Sequence, residues 1–256
     1  MGRTLLKLVP AVLLAWGTLT TPAWAQNAAR GGEQNMKYKV NLPPSADLVY
    51  AIKAKQSGIR VDGDATLRWT ASGNKFEIRS ETRASLVGKI LDAKSEGGID
   101  DYGLAPVSFT EKRFRKAANT TSFDRAAKKI NFASSAQSYP LAGGEQDRSS
   151  ALWQLISVAR AAPSKFKAGS EWRFVVAGHS DAEPWIFKVL KQDKVRTPMG
   201  ELNAVHVARA APPDSKEQKL DIWLAPSLEW YPVRVRFAEA DGDFIEQTLQ
   251  EAKKRP

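Results

Sequence analysis

From Leu48 almost to the C-terminus, apolar side chains recur at every second residue: Tyr50, Ile52 and Ala54, then Ala65, Leu67 and Trp69, then Phe76 and Ile78. A period of two places alternate side chains on opposite faces of a pleated strand, so each run reads as a strand with one buried face. Gly58, Asp62-Gly63 and Ser72-Gly73-Asn74 separate these runs and supply turn chemistry, because Gly and Asn accept the positive φ of tight hairpins. Alternation continues through 86–95, 107–114, 121–125 and 129–133, and resumes at 171–177, 185–191, 202–208, 220–224, 233–237 and 244–249. Thr197-Pro198-Met199-Gly200 reads as a turn and Asp241-Gly242-Asp243 as a two-residue hairpin. About a dozen strands with closely spaced turns predict an all-β fold, a strongly curved antiparallel sheet or partly open β-barrel.

One stretch breaks the pattern. Between Asp147 and Ala161, Leu152, Leu155, Ile156 and Ala159 recur on a single helical face, Asp147 or Ser149 can cap the start, and Pro163 stops the end. This predicts one substantial helix. The expected organisation is a signal peptide over 1–25, a flexible leader over 26–47 and a single antiparallel β domain over 48–256. Two sheet lobes meeting near 134–163, around Gly143-Gly144, are the second organisation compatible with the pattern.

The start of the chain carries an address. Arg3 and Lys7 make it basic, Leu8 to Leu19 is apolar, and Ala23-Trp24-Ala25 is a small-x-small cleavage site before Gln26. The apolar run holds Pro10 and Gly17 and is shorter than the roughly 20 residues a bilayer core demands, so cleavage and a periplasmic product are expected, without a transmembrane span in the mature chain. Loss of Arg3 and Lys7 lowers the formal charge from +10 to +8, still basic. Lys112, Arg113 and Arg115 form the densest basic surface candidate. Outside the cytoplasm its counterions would be anionic lipid, acidic polysaccharide or an acidic partner protein, and no nucleic-acid partner is expected.

Several chemistries lack their residues. There is no Cys, which removes disulfides, thiolate metal sites, thiol nucleophiles and Cys-anchored lipids. Neither a phosphate-binding G-x-x-x-x-G-K-[ST] loop nor a G-x-G-x-x-G turn occurs, so no cofactor is expected. Gly178-His179-Ser180-Asp181-Ala182 echoes the serine-hydrolase turn, but Ala182 stands where a second Gly is needed and Glu183-Pro184-Trp185 leads into a strand rather than a helix. His179 and His206, the two histidines, have no spacing that preassembles a metal site, and His206 reads as a strand residue between Val205 and Val207. Asp100-Asp101, Asp181, Glu183 and Asp221 could in principle supply the paired carboxylates of a glycan hydrolase.

An ordered set of punctuation marks runs through the mature chain: Gly58, Gly63, Leu67, Trp69 and Lys75-Phe76, then Ser95-Glu96-Gly97-Gly98-Ile99 and Tyr102-Gly103-Leu104-Ala105-Pro106 with Phe109. Phe123-Asp124, Asp147-Arg148-Ser149-Ser150, Thr197-Pro198-Met199-Gly200, Ile222-Trp223-Leu224-Ala225-Pro226 and Tyr231-Pro232-Val233 follow. In this order the chain resembles the bacterial exported proteins grouped as domain of unknown function 3108. The resemblance implies an all-β, strongly curved or barrel-like periplasmic domain, architecturally akin to half-barrels that carry lipids or lipoproteins between membranes. It supplies no catalytic residues.

Trp69, Trp153, Trp172, Trp185, Trp223 and Trp230 are many for one domain. In a barrel too wide for its own side chains to fill, inward Trp would line a lipophilic cavity, and Trp69, Trp185 and Trp223 are the candidate ligand-binding residues; a packed core uses the same residue types. The expectation is a non-enzymatic envelope protein that binds a lipid, a lipoprotein or a protein partner. A cell-wall glycan binder or hydrolase is the alternative.

Overall fold

The computed structural model describes residues 36–210 and 219–255. The expected signal peptide and the first part of the leader, up to 35, lie outside the described residues. The first arm of strands is β1 (Ala46–Gln56), β2 (Ile59–Ser72), β3 (Lys75–Ala84), β4 (Gly88–Asp100), β5 (Gly103–Arg113), β6 (Asn119–Asp124), β7 (Lys129–Phe132) and β8 (Ser135–Pro140). Next come β9 (Gln146–Asp147) and the helix α1 (Arg148–Ala161). The second arm is β10 (Glu171–Ala177), β11 (Ala182–Thr197), β12 (Gly200–Ala210), β13 (Lys219–Leu224), β14 (Pro232–Ala238) and β15 (Phe244–Lys254).

These fifteen strands make one sheet in the order β8-β7-β6-β5-β4-β3-β2-β1-β15-β14-β13-β12-β11-β10-β9. The chain therefore meanders outward from β1 to one edge, crosses to the other edge through α1, and meanders back until β15 pairs with β1. All neighbours are antiparallel except the short β9–β10 pair. The two edges share no ladder; they meet through side chains. Asn119 Nδ2 and Ser134 Oγ donate to the carbonyl of His179 at 3.1 and 2.7 Å, Thr121 Oγ1 donates to that of Gly178 at 3.3 Å, and Phe123, Ile130, Phe132, Leu141 and Ala177 bury one another across the seam. The result is the partly open barrel the alternation predicts.

Asp62-Gly63 is not a turn. It lies within β2, where Gly63 pairs with Ile52 on one side and Ala84 on the other. A Cβ on Gly63 would stand 2.1 Å from the Arg83 carbonyl oxygen, and one on Gly97 2.2 Å from that of Ala105. Gly97 sits at a register shift of the β4–β5 ladder, and Gly63 pairs with Ala84, beside the shift at Thr82/Arg83 between β3 and β4; the neighbouring backbones close up at both places. The Asp241-Gly242-Asp243 connection is likewise longer than two residues: β14 ends at Ala238 and β15 starts at Phe244, and the Glu239 amide closes the loop on the Asp243 carbonyl at 2.8 Å.

The helix matches its sequence signals. Asp147 caps it by accepting from the Ser149 and Ser150 amides, and Ser150 Oγ accepts from the Asp147 amide in return. Trp153 stacks on Trp69 with centroids 4.5 Å apart and meets Tyr231 edge-on. The leader expected over 26–47 is corrected from Met36 onward. The Asn41 amide donates to the Ser157 carbonyl, Trp69 Nε1 to that of Pro43 at 3.0 Å, and the Tyr231 hydroxyl to that of Pro44 at 2.7 Å. Tyr38, Val40 and Leu42 pack on the core, because those apolar residues alternate with polar ones as they do in a strand.

Candidate functional site

The registers define which side chains share the concave face. Starting from the Trp69–Trp153 stack, Ala46, Leu48, Tyr50, Ile52 and Ala54 lie on that face of β1, and Ile245, Phe237 and Leu220 continue the row from Ala54 across β15, β14 and β13. From Ile78 the row runs to Ser95 and Phe109, so Glu111 and Arg113, two and four residues further along β5, also face inward. The same counting places Trp185, Phe187 and Val189 of β11 inside with Val207 and Ile222.

The helix fills one end of this hollow. Its N-terminus stands beside Ser95, midway along β4, and its course leads away to Gln154, which accepts from the Leu104 amide at 2.9 Å, and to Arg160, which donates to the Asn41 carbonyl. Towards the other end no helix covers the interior. There Val61, Leu91, Phe237 and Ile245 face inward yet remain only partly buried. The turns at that end carry Ile59, 44% exposed, and Leu86, 89% exposed. A trough results, closed at its floor by α1, with Ile59 and Leu86 standing among polar turn residues at its rim.

One wall of the trough is polar. Arg113 donates to Glu111 at 2.6 Å. Arg209 donates to Glu183 at 3.1 Å, Trp185 Nε1 donates to the same carboxylate oxygen at 2.9 Å, and the Arg209 guanidinium lies 4.5 Å over the Trp185 ring. Arg148, the first residue of α1, reaches towards this wall: its Nη2 lies 3.7 Å from where a Cβ would stand on Gly178. Burial lowers the Arg148 pKa, Glu111 opposes that shift, and Arg113 adds to it.

The three candidate tryptophans fall in three places. Trp69 is fully buried at the helix end, its rings packed between Trp153 and Phe76. Trp185 is in the trough wall. Trp223 points from the opposite face of the sheet, because its neighbour Ile222 faces inward; its ring stacks on His206 at 4.3 Å, its Nε1 donates to Asp193 at 3.2 Å, and Arg234 lies over it. The basic candidates divide by the same rule. Lys112 points outward and is exposed, Arg113 points inward, and Arg115 sits in the turn after β5 with its guanidinium 5.0 Å from the Phe114 ring. They do not form one surface, since adjacent strand residues face opposite ways.

The chemical motifs settle into structural roles. Gly178–Asp181 is the β10–β11 hairpin, closed by the Gly178 amide on the Asp181 carbonyl at 2.7 Å. His206 Nε2 bonds Asp221 Oδ1 at 2.8 Å on the convex face, Lys219 pairs with the other oxygen at 3.1 Å, and Asp100 accepts from the Tyr102 amide in the β4–β5 turn. Of the candidate carboxylates, Asp100 and Asp101 share the β4–β5 turn, and Asp181 and Glu183 share one end of the β10–β11 hairpin. Among the described residues no group of three His, Asp or Glu could hold a metal ion, and no helix is long and apolar enough to cross a membrane.

Arg148, Glu111 and Arg209 escape a reading based on apolar periodicity. The signal that finds them is the exception to it: a charge standing where the strand's inward parity demands an apolar residue, as Glu111 does after Phe109 and Arg209 after Val207.

Residues 48–250 match the family described as protein of unknown function (DUF3108). The chain belongs to this family. No curated protein matches this DUF3108 chain in sequence. Among solved structures, a beta-barrel-like protein of domain of unknown function DUF1849 from Brucella abortus superposes with a TM-score of 0.56 at 11% identity, covering 85% of this chain and all of that one. A putative lipoprotein from Parabacteroides distasonis is more remote, with a TM-score of 0.35 at 13% identity over 86% of this chain and all of that one. Lipoprotein LppX from Mycobacterium tuberculosis reaches a TM-score of 0.27 at 10% identity over 90% of this chain and 92% of that one. The DUF1849 likeness shows a shared fold and nothing finer.

Proposed function

We propose that this DUF3108 chain is a non-enzymatic binding protein of the cell envelope, whose trough takes the apolar part of a lipid or of a lipoprotein's acyl chain. The observation that supports this reading is the unequal filling of the concave face. One end is packed solid by α1, while at the other Val61, Leu91, Phe237 and Ile245 line an interior left partly open. Apolar side chains in an open concavity gain free energy when a ligand removes them from water, about 25 cal/mol per Å² of apolar surface covered. Placement in the envelope rests on the export signal in residues 1–25.

The test is binding of an uncharged lipophilic fluorophore to the mature protein, read both by the probe and by Trp185 emission. Saturable uptake that falls about tenfold or more in Ile245→Asp and Phe237→Asp, with native circular dichroism, supports the trough. Absence of saturable uptake, or uptake indifferent to both substitutions, overturns it.

A further inference from the structure

Arg148 occupies an unusual position for a guanidinium. It starts α1, and side chains on a helix lean towards its N-terminus; this one reaches the Gly178–Asp181 hairpin, its Nη2 3.7 Å from where a Cβ would stand on Gly178. Its Nε and Nη1 are buried and have no hydrogen-bond partner among the described residues. Leaving such donors unsatisfied is unfavourable, the more so when they carry charge. The nearby carboxylates do not relieve it: Glu111 is engaged by Arg113 at 2.6 Å and Glu183 by Arg209 and Trp185. Asp181, in the hairpin opposite, accepts from Gly178 through its backbone oxygen, and its charge acts on Arg148 through space. The first free amides of the helix are taken by Asp147. What remains is a planar fork with two buried, unpartnered nitrogens, set beside the polar wall that carries Glu111, Arg113, Asp181 and Glu183.

Resting on the trough reading, we infer that the ligand is an anionic amphiphile whose oxyanion, a carboxylate or phosphate, is held by Arg148 while its chain lies against Val61, Phe237 and Ile245. The guanidinium suits this role because its N–H groups match two oxygens of one oxyanion, and burial strengthens the pair. The arrangement orients the ligand: head at the floor beside α1, tail towards the open rim at Ile59 and Leu86. Burial, which disfavours the free cation, adds to the preference for an anion over a neutral head group.

The experiment titrates the mature protein with a long-chain fatty acid, with the alcohol of the same chain, and with inorganic phosphate. Arg148→Met, Arg148→Lys and Asp181→Asn are compared with the parent, each verified by circular dichroism. The expected result is tighter binding of acid than alcohol by about tenfold or more, a preference abolished in Arg148→Met with alcohol binding retained. Arg148→Lys should keep part of it, and Asp181→Asn should increase it by removing a competing carboxylate. Equal affinity for acid and alcohol in the parent, or a preference that survives Arg148→Met, overturns the inference and leaves the trough standing. Arg148-dependent phosphate binding without uptake of either amphiphile overturns the amphiphile and identifies a free oxyanion as the ligand. If none of the three binds, the trough reading fails and this inference fails with it.

Discussion

The hydroxyl of Ser95 donates to the Asp147 carboxylate at 2.6 Å, joining the middle of β4 to the residue that caps α1. The other oxygen of Asp147 accepts from the Ser149 and Ser150 amides at 2.8 and 2.9 Å. One fully buried side chain thus fixes both where the helix begins and where it docks. Burial pushes the Asp147 carboxyl above its ordinary pKa, against the lowering effect of Ser95 and the capped amides. Asp147→Ala should cost about 2–4 kcal/mol, combining a lost cap with an orphaned Ser95 hydroxyl, and Asp147→Asn, which keeps an acceptor, should cost less than half of that. Urea unfolding of the two variants checks the difference.

Gly97 and Gly98 are adjacent in β4 yet differ in what they exclude. A Cβ on Gly97 would meet the Ala105 carbonyl oxygen at 2.2 Å, whereas one on Gly98 has only the Asn74 oxygen, at 3.6 Å. Gly97→Ala should therefore destabilise by about 1–3 kcal/mol or more through forced backbone movement, and Gly98→Ala should stay within about 1 kcal/mol of the parent. Equal midpoints for the pair in thermal unfolding would refute a role for Gly97 in bending the sheet.

Trp69 and Trp185 should separate core from site. Trp69→Ala removes a ring stacked on Trp153 and is expected to lower stability by about 3–5 kcal/mol. Trp185→Phe keeps an aromatic ring beside Arg209, loses one hydrogen bond to Glu183, and should cost about 1 kcal/mol while removing most of the fluorescence change on ligand uptake. Denaturant titrations with and without probe measure both.

Glu229 sets an acid limit at the helix end. It accepts from Lys254 and from Arg160, tying β15 to the last turn of α1, and those two bonds hold its carboxyl below the ordinary value of 4.5. A carboxylate whose folded pKa is lowered contributes stability that is present above its unfolded pKa and lost as the pH falls through the folded one. Glu229→Gln should thus be less stable by about 1 kcal/mol above pH 4.5, with the gap closing at lower pH. A gap independent of pH in stability curves would exclude the ionic contribution.

The export reading predicts a mature N-terminus at Gln26, after Ala23-Trp24-Ala25. Intact mass and N-terminal sequencing of protein recovered from the envelope should find it. Recovery of the chain with Met1 intact from a membrane fraction overturns cleavage.

Alternation determined the strands other than β8 and β9 and the antiparallel class, and capping with Pro163 determined the helix boundaries, because backbone periodicity and capping are local properties written in neighbouring residues. Grouping Lys112 with Arg113 as one basic surface goes against that same period, since adjacent strand residues face opposite ways. Tertiary structure decided what no local pattern encodes. Gly63 and Gly97 look like turn residues until the strand beside them is known, since the reason for a missing Cβ is a carbonyl on another strand. Trp69 and Trp185 have equal claims to a ligand until α1 crosses the sheet and covers one of them. Nothing local to the helix entry marks Arg148, whose Nε and Nη1 are buried only because strands from both arms of the sheet pack around the start of α1. Which apolar residues are packed and which are left open depends on where a single helix lies across fifteen strands, and that is a property of the whole chain's closure rather than of any segment.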